Sequence, residues 1–257
     1  MIKAAFFDVD GTFYSHKIHG VPKIHLKVLE ELKSKGIKTF LATGRHFEEL
    51  KDLGMSEIDF DGYVMLTGQI CTDQDRNLIF GNPIKRENAE FLFNAFEKKE
   101  LPMMLVEKDH FYVNMHSDIV INGQIAISSP TPPIRIYEGA PVYQMVVYGG
   151  KEVERELIQK VPNCTFTRWS DFGVDIISKD GGKVTGIQKM LEHYGICREE
   201  MIAFGDGEND MEMLEFAGVG VAMGNADNEV KALADYVTAD IDDDGIWKAC
   251  RHFGLIS

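Results

Sequence analysis

Two aspartates stand two residues apart near the start of the chain, in the run Asp8-Val9-Asp10-Gly11-Thr12. A carboxylate can attack phosphorus and form an acyl phosphate. At the end of a strand, Asp8 and Asp10 can both reach one site, so one can attack while the other serves as general acid and then as base. A second acidic run, Gly205-Asp206-Gly207-Glu208-Asn209-Asp210, lies almost two hundred residues later. Magnesium takes oxygen ligands and is usually held by one or two carboxylates plus phosphate and water. Asp8 and Asp206 can supply them, and the metal would neutralise the charge that keeps a carboxylate and a phosphate apart. Thr43-Gly44-Arg45 offers a hydroxyl and neighbouring N–H groups to a phosphate oxygen. Gly181-Gly182-Lys183 opens a helix, which adds an ammonium to the positive end of the helix dipole. Asn209 can donate to the phosphate or to the nucleophile. The chemistry these residue types share is phosphoryl transfer.

The patterning around these runs predicts the elements that position them. Residues 2–7 and 37–42 are short apolar runs that read as buried strands leading into Asp8 and Thr43, and 63–66 reads as a third. Helices are expected over 23–35 and 46–53, with Gly36 and Gly54 as stops. Toward the C-terminus, helix 183–194 precedes strand 201–204, which runs into the second acidic loop. Helix 209–217, strand 219–222, helix 227–234, strand 236–238 and helix 245–253 follow. Strands alternating with helices predict an α/β fold, a Rossmann-like doubly wound parallel sheet. Ligands of such sheets bind at the carboxyl ends of the strands, where the three polar glycine-containing loops fall.

The middle of the chain reads differently. A hairpin-like pair at 103–107 and 110–114, strands at 143–148, 164–168 and 173–177, and helices at 87–99 and 151–160 predict an inserted α+β cap domain over 82–181. The catalytic core is then discontinuous, 1–81 with 182–257. Cap aromatics Phe111, Tyr112 and Trp169 are expected in its core. Arg135, Arg168, Trp169, Ser170 and Asp171 are left between substrate contact and structure.

The bulk numbers narrow the function classes. The chain has 257 residues, 44% of them apolar, enough for a substantial core. Its 41 acids against 27 bases give a net charge of −14, which excludes a basic nucleic-acid footprint and docking on anionic membranes. That charge also repels anionic substrates at long range, so a phosphate site must carry its own positive field. No apolar run has the length of a membrane span. The four cysteines form no C-x-x-C pair and no zinc spacing, and are expected as reduced thiols of a cytoplasmic protein.

Asp8-Val9-Asp10-Gly11-Thr12, Thr43, Lys183 and Gly205-Asp206-Gly207-Glu208-Asn209-Asp210 resemble the four ordered motifs of the haloacid dehalogenase-like superfamily. The resemblance covers essentially the whole chain. The insert is similar to the type IIB cap of the Cof-like sugar-phosphatase branch, as are Thr43-Gly44-Arg45, Thr67-Gly68-Gln69 and Asp243-Asp244-Gly245-Ile246. The resemblance implies Asp8 as nucleophile and magnesium ligand, and Asp10 as acid/base that also lends its backbone carbonyl to the metal. Asp206 is then the third protein ligand, and Thr43, Gly44, Lys183 and Asn209 hold the phosphate. Thr12, Arg45 and Asp210 take supporting places, Asp210 beside Lys183 or the metal waters, while Arg45 is left between binding an anion and pairing with a surface acid. The implied activity is a magnesium-dependent phosphatase for a small phosphorylated metabolite, a sugar phosphate first, then pyridoxal phosphate or flavin mononucleotide. Two alternatives stay open: a phosphosugar mutase and a non-catalytic phosphometabolite-binding protein. The oligomeric state has no sequence signal.

Other patterns fail on inspection. Asp240-x-Asp242-x-Asp244-Gly245 imitates a calcium loop, but its twelfth position is Arg251 rather than a glutamate. Gly218-x-Gly220 lacks the third glycine of a dinucleotide fingerprint. Val184 after Lys183 rules out a P-loop.

Overall fold

Strand β1 (Ala4–Phe7) is buried along its whole length, the burial expected where both faces of a strand are covered. The structure is a computed structural model and describes residues 1–127 and 129–257. Among the described residues β1 lies in an eight-stranded sheet. The order is β13 (Tyr236–Val237), β12 (Val219–Ala222), β11 (Met201–Gly205), β1, β2 (Lys38–Ala42), β3 (Gly62–Met65), β4 (Ile70–Asp73) and β5 (Leu78–Gly81). The strands from β13 to β3 are parallel, and β4 folds back antiparallel on β3. β1 therefore sits between neighbours from opposite ends of the chain, a topological switch point where a crevice opens at the carboxyl ends.

The helices of this unit cover the sheet by ordinary apolar stripes. Helix α1 (Lys23–Ser34) buries His25, Val28, Leu29 and Leu32. Helix α2 (Phe47–Asp52) buries Phe47 and Leu50. The chain divides into two compact units, the insert Gly81–Gly181 and the core formed by Met1–Phe80 and Gly182–Ser257. The insert holds helix α3 (Arg86–Glu97), helix α4 (Asp118–Ala126) and helix α5 (Lys151–Lys160). Its sheet runs β7 (Phe111–Val113), β6 (Met103–Val106), β8 (Gln144–Tyr148), β10 (Gly173–Ser178), β9 (Cys164–Arg168). Leu92, Phe93 and Phe96 pack with Met145, Val147 and Ile176 in its core. Returning to the first unit, the chain forms α6 (Lys183–Tyr194), α7 (Met211–Phe216), α8 (Asn228–Leu233) and α9 (Gly245–His252).

Three differences from the patterning have physical causes. The helix expected over 209–217 is a 3-10 turn, Glu208–Asp210, followed by α7. Asp210 accepts from the N–H groups of Asp206 and Gly207, both at 3.0 Å, and this ties the loop before the helix can start. β4 and β5 were not expected, because the tight reversal through Thr67, Gly68 and Gln69 reads as a polar loop. α4 was missed because apolar residues surround it and leave no period to read. Arg168 is committed to structure rather than substrate. Its guanidinium donates to Glu154 at 2.5 Å and to the carbonyls of Gly149, Gly150 and Ser170 at 3.1, 3.2 and 2.9 Å. Trp169 packs edge-on to Tyr148. No helix among the described residues is long and apolar enough to cross a membrane.

One core residue carries a pH dependence. His25 is fully buried and its Nδ1 lies 3.1 Å from the carbonyl oxygen of Phe13. A carbonyl only accepts, so Nδ1 holds the proton, and Nε2 is left without a partner. Burial lowers its pKa from 6.5 to about 4, against the smaller opposing effects of the Phe13 carbonyl and Asp244. The native state therefore refuses a proton that the unfolded chain accepts below pH 6.5. Stability present above that pH is lost as pH falls toward 4, by up to about 3 kcal/mol. Urea unfolding between pH 7 and 4 is expected to show a slope that His25→Leu flattens. An identical slope in that variant refutes the assignment.

Candidate active site

The loops at the carboxyl ends of β1, β2 and β11 bring most of the sequence-predicted residues together. Asp8 follows β1 directly, and its N–H donates to the Phe204 carbonyl on β11 at 2.9 Å. Its carboxylate is 7% exposed and accepts from Lys183 Nζ at 2.9 Å. Lys183, the first residue of α6, is itself 2% exposed and also donates to Asp210 Oδ1 at 2.5 Å. Asp8, Asp206 and Asp210 each present a carboxylate oxygen within 4.8 Å of the other two. Asp206 accepts from the Thr12 hydroxyl at 2.6 Å, which gives Thr12 a defined supporting contact.

Close packing here needs glycine at two points. Gly11 has φ +81°, and a β-carbon on it would collide with the Asp206 carboxylate. Gly68 has φ +82°, and a β-carbon there would run into the Gly182 carbonyl just before Lys183. Both loops therefore approach as bare backbone.

The electrostatics follow from three acids sharing one buried ammonium. Burial pushes the Asp8 carboxyl well up, Asp210 adds to the rise, and Lys183 only partly opposes it. Burial also raises Asp206, to about 6, against the Thr12 hydrogen bond. Burial alone would lower the Lys183 ammonium, but the carboxylates of Asp210 and Asp8 more than reverse it, so it stays charged. The cluster thus holds more negative charge than its lysine balances, and its hard oxygen donors fit a divalent cation.

The other predicted residues take different places. Thr43 is buried, donates its N–H to the Val64 carbonyl at 2.8 Å, and accepts from the Arg45 N–H at 3.1 Å. Gly44 lies between them in the same turn. Asn209 is exposed on the turn after β11. The Asp10 carboxylate stands outside the acidic cluster. Arg45 donates to both its oxygens, at 2.6 and 2.8 Å, so Arg45 pairs with the second aspartate of the first motif and not with the surface acid expected as one alternative.

The sequence profile of the haloacid dehalogenase-like hydrolases matches residues 5–250. The chain belongs to this family. YkrA of Bacillus subtilis is 30% identical over 257 residues, covering 99% of this chain and 98% of its own. Two solved phosphatases of the superfamily share the fold. BT1666 from Bacteroides thetaiotaomicron has a TM-score of 0.88 at 30% identity, covering all of this chain and 96% of that one. The subclass IIB sugar phosphatase BT4131 has a TM-score of 0.80 at 37% identity, covering 99% and 100%. This haloacid dehalogenase-like hydrolase is accordingly a phosphatase.

Two residues of the hydrolase's site went unread in the sequence. Asn225 donates to the Gly11 carbonyl at 2.8 Å and to Asp206 Oδ2 at 3.1 Å, and accepts from the Ile241 N–H at 3.0 Å. It belongs to Gly224-Asn225, a fourth polar strand-end run after β12, and that position was the available signal. His16 Nε2 lies 3.0 Å from Asp10 Oδ1, and no spacing announces it.

Removing one member of a buried charge pair strands the other, at a cost of about 3–5 kcal/mol. Lys183→Met leaves two buried carboxylates facing each other and is expected to lower stability by that order in urea titration. Unchanged stability contradicts this account of the cluster.

Proposed function

We propose that the chain is a magnesium-dependent phosphatase of small phosphate monoesters, sugar phosphates first, acting through an aspartyl-phosphate on Asp8. The observation that carries the reading is the convergence of Asp8, Asp206 and Asp210 around buried Lys183, with Asp10 two residues from Asp8 at the end of the central strand.

Asp8 attacks phosphorus with the oxygen not engaged by Lys183, and the ester P–O bond breaks. Asp10 gives its proton to the leaving oxygen, which departs as an alcohol. Asp10, now a carboxylate, takes a proton from water as that water's oxygen attacks phosphorus. The bond from phosphorus to Asp8 breaks, inorganic phosphate leaves, and both aspartates return to their starting states. Asp8 and Asp206, with the Asp10 backbone carbonyl, would hold the magnesium ion. Bound there, it supplies charge neutralisation and Lewis acidity toward the phosphoryl oxygens. Lys183, Thr43, Gly44 and Asn209 receive the phosphate oxygens, and Asp210 keeps Lys183 charged and in place. Thr12 and Asn225 orient Asp206.

The sugar-phosphate preference is supported by BT4131, named as a sugar phosphatase and 37% identical over nearly the full length. The insert, residues 82–181, acts as the cap that selects the leaving group. Four free cysteines, three of them buried, fit a reducing cytoplasm.

Phosphate release should be measured on sugar phosphates, pyridoxal phosphate, flavin mononucleotide and an aryl phosphate, with magnesium and with chelator. Release is expected only with magnesium, and Asp8→Asn is expected to abolish it while circular dichroism stays native. Activity that persists in Asp8→Asn refutes the nucleophile. Substrate isomerised without net phosphate release points to a mutase. Asp10→Asn is expected to slow turnover on the order of 10²–10⁴-fold.

A further inference from the structure

We propose that Arg45 is the positioning residue of the acid/base Asp10, a role that rests on the phosphatase reading above. The guanidinium meets the carboxylate as a two-bond fork, Nε to Oδ2 at 2.6 Å and Nη2 to Oδ1 at 2.8 Å. Two parallel bonds fix the plane and direction of a carboxylate, which a point charge does not.

The fold prepares both partners. β1 and β2 are adjacent and parallel, with Phe7 opposite Leu41, so residues just past their carboxyl ends are neighbours. Arg45 is tied at its backbone, with its N–H donating to Thr43 Oγ1 at 3.1 Å and its carbonyl accepting from Leu66 at 3.3 Å. Its remaining edge faces Glu49, with Nη1 4.0 Å from Oε1. Glu49 is held in turn, because its Oε2 accepts the His46 N–H at 2.7 Å in the capping box of α2. His16 Nε2 stands 3.0 Å from Asp10 Oδ1 on an exposed side chain. The chain of contacts thus runs from the first turn of α2 through Glu49 and Arg45 to Asp10.

The spent fork also separates two roles for Arg45. The Nε–Nη2 edge of Arg45 is given to Asp10, and Nη1 on its other side turns toward Glu49. An exposed ion pair alone is worth little, but a general acid or base gains or loses large factors with its aim. A displacement of about 1 Å can cost on the order of 100-fold. Between its two proton transfers Asp10 must face the attacking water, and the fork from Arg45 sets that aim.

Leaving groups distinguish the positioning role from phosphate binding. The value of kcat/KM reports formation of the phosphoenzyme. An alkoxide leaving group needs the Asp10 proton in that step, whereas 2,4-dinitrophenolate does not. Wild type, Arg45→Met, Arg45→Lys and Glu49→Gln should be compared on the best sugar phosphate and on 2,4-dinitrophenyl phosphate, with thermal unfolding as the folding control. In Arg45→Met, kcat/KM for the sugar phosphate is expected to fall about 100-fold. For the dinitrophenyl ester it should stay within about threefold, with kcat and KM falling together as hydrolysis of the phosphoenzyme slows. Arg45→Lys keeps the charge without the fork and is expected to follow Arg45→Met, and Glu49→Gln to show the same pattern more weakly. A parallel loss of kcat/KM on both esters makes Arg45 a phosphate ligand and overturns the proposal. No loss on either ester, or full activity in Arg45→Lys, overturns it as well. Wild-type inactivity on both esters defeats the phosphatase reading first and this inference with it.

Discussion

A single buried ammonium holds the site together. Lys183 is almost wholly removed from water, and its charge is answered by Asp8, 175 residues away, and by Asp210, 27 residues away. Taking three charges into the interior costs several kcal/mol per ion before any attraction is counted. Such a trio is a poor way to stabilise a protein, since apolar residues of the same volume often do better. Its value lies in placing a fixed positive charge beside a carboxylate that must attack a phosphate. Where the three loops meet, each of these charges has an opposite partner.

The remaining packing serves that constraint. Asp210 spends one oxygen on Lys183 and the other on the N–H groups of Asp206 and Gly207. It therefore sets the position of the cation and the shape of the loop that carries Asp206. Asn225 bridges the Asp206 carboxylate to the backbone of Gly11, so it ties together the loops after β1, β11 and β12. On the opposite side, Arg45 and His16 contact Asp10, whose charge adds only a minor rise to Asp8 and Asp206. The two aspartates of the first motif are thus given opposite surroundings. Asp8 is buried among acids and one lysine, and Asp10 is half-exposed under an arginine. Different environments for paired carboxylates are how one site runs both nucleophilic and proton-transfer chemistry.

Much of this was legible in the sequence because the informative residues lie where backbone chemistry is most restrictive. The buried parallel strands left unbroken apolar runs, and each ended in a polar glycine-containing loop that no core strand would tolerate. The helices of the first unit showed their period because each has one dry face. The reading weakened wherever those signals cancel. α4 is apolar on nearly every side and carries no period. β4 and β5 follow a reversal whose residues look like a loop, with Leu66 and Thr67 adopting left-handed backbone that their side chains do not advertise. Arg45 showed its motif but not its partner, because the partner is set by strand adjacency. His16 and Glu49 act through distances that only the folded chain creates.

The discontinuity of the core shapes how the site forms. The contacts that bring Asp8 and Thr12 into the cluster join the start of the chain to residues beyond 181, Asp8 with Lys183 across 175 positions and Thr12 with Asp206 across 194. Closing a loop of that length is entropically unfavourable, though the cost grows only slowly with length. The insert changes the terms, since residues 81–181 form a compact unit with an apolar core of their own. Once that unit is folded, much of the intervening chain is no longer flexible, and β1 can pair with β11 at a smaller entropic cost. Asp8 and Lys183 are buried together where β1 and β11 are in register and α6 begins, so the pair depends on the sheet that carries it.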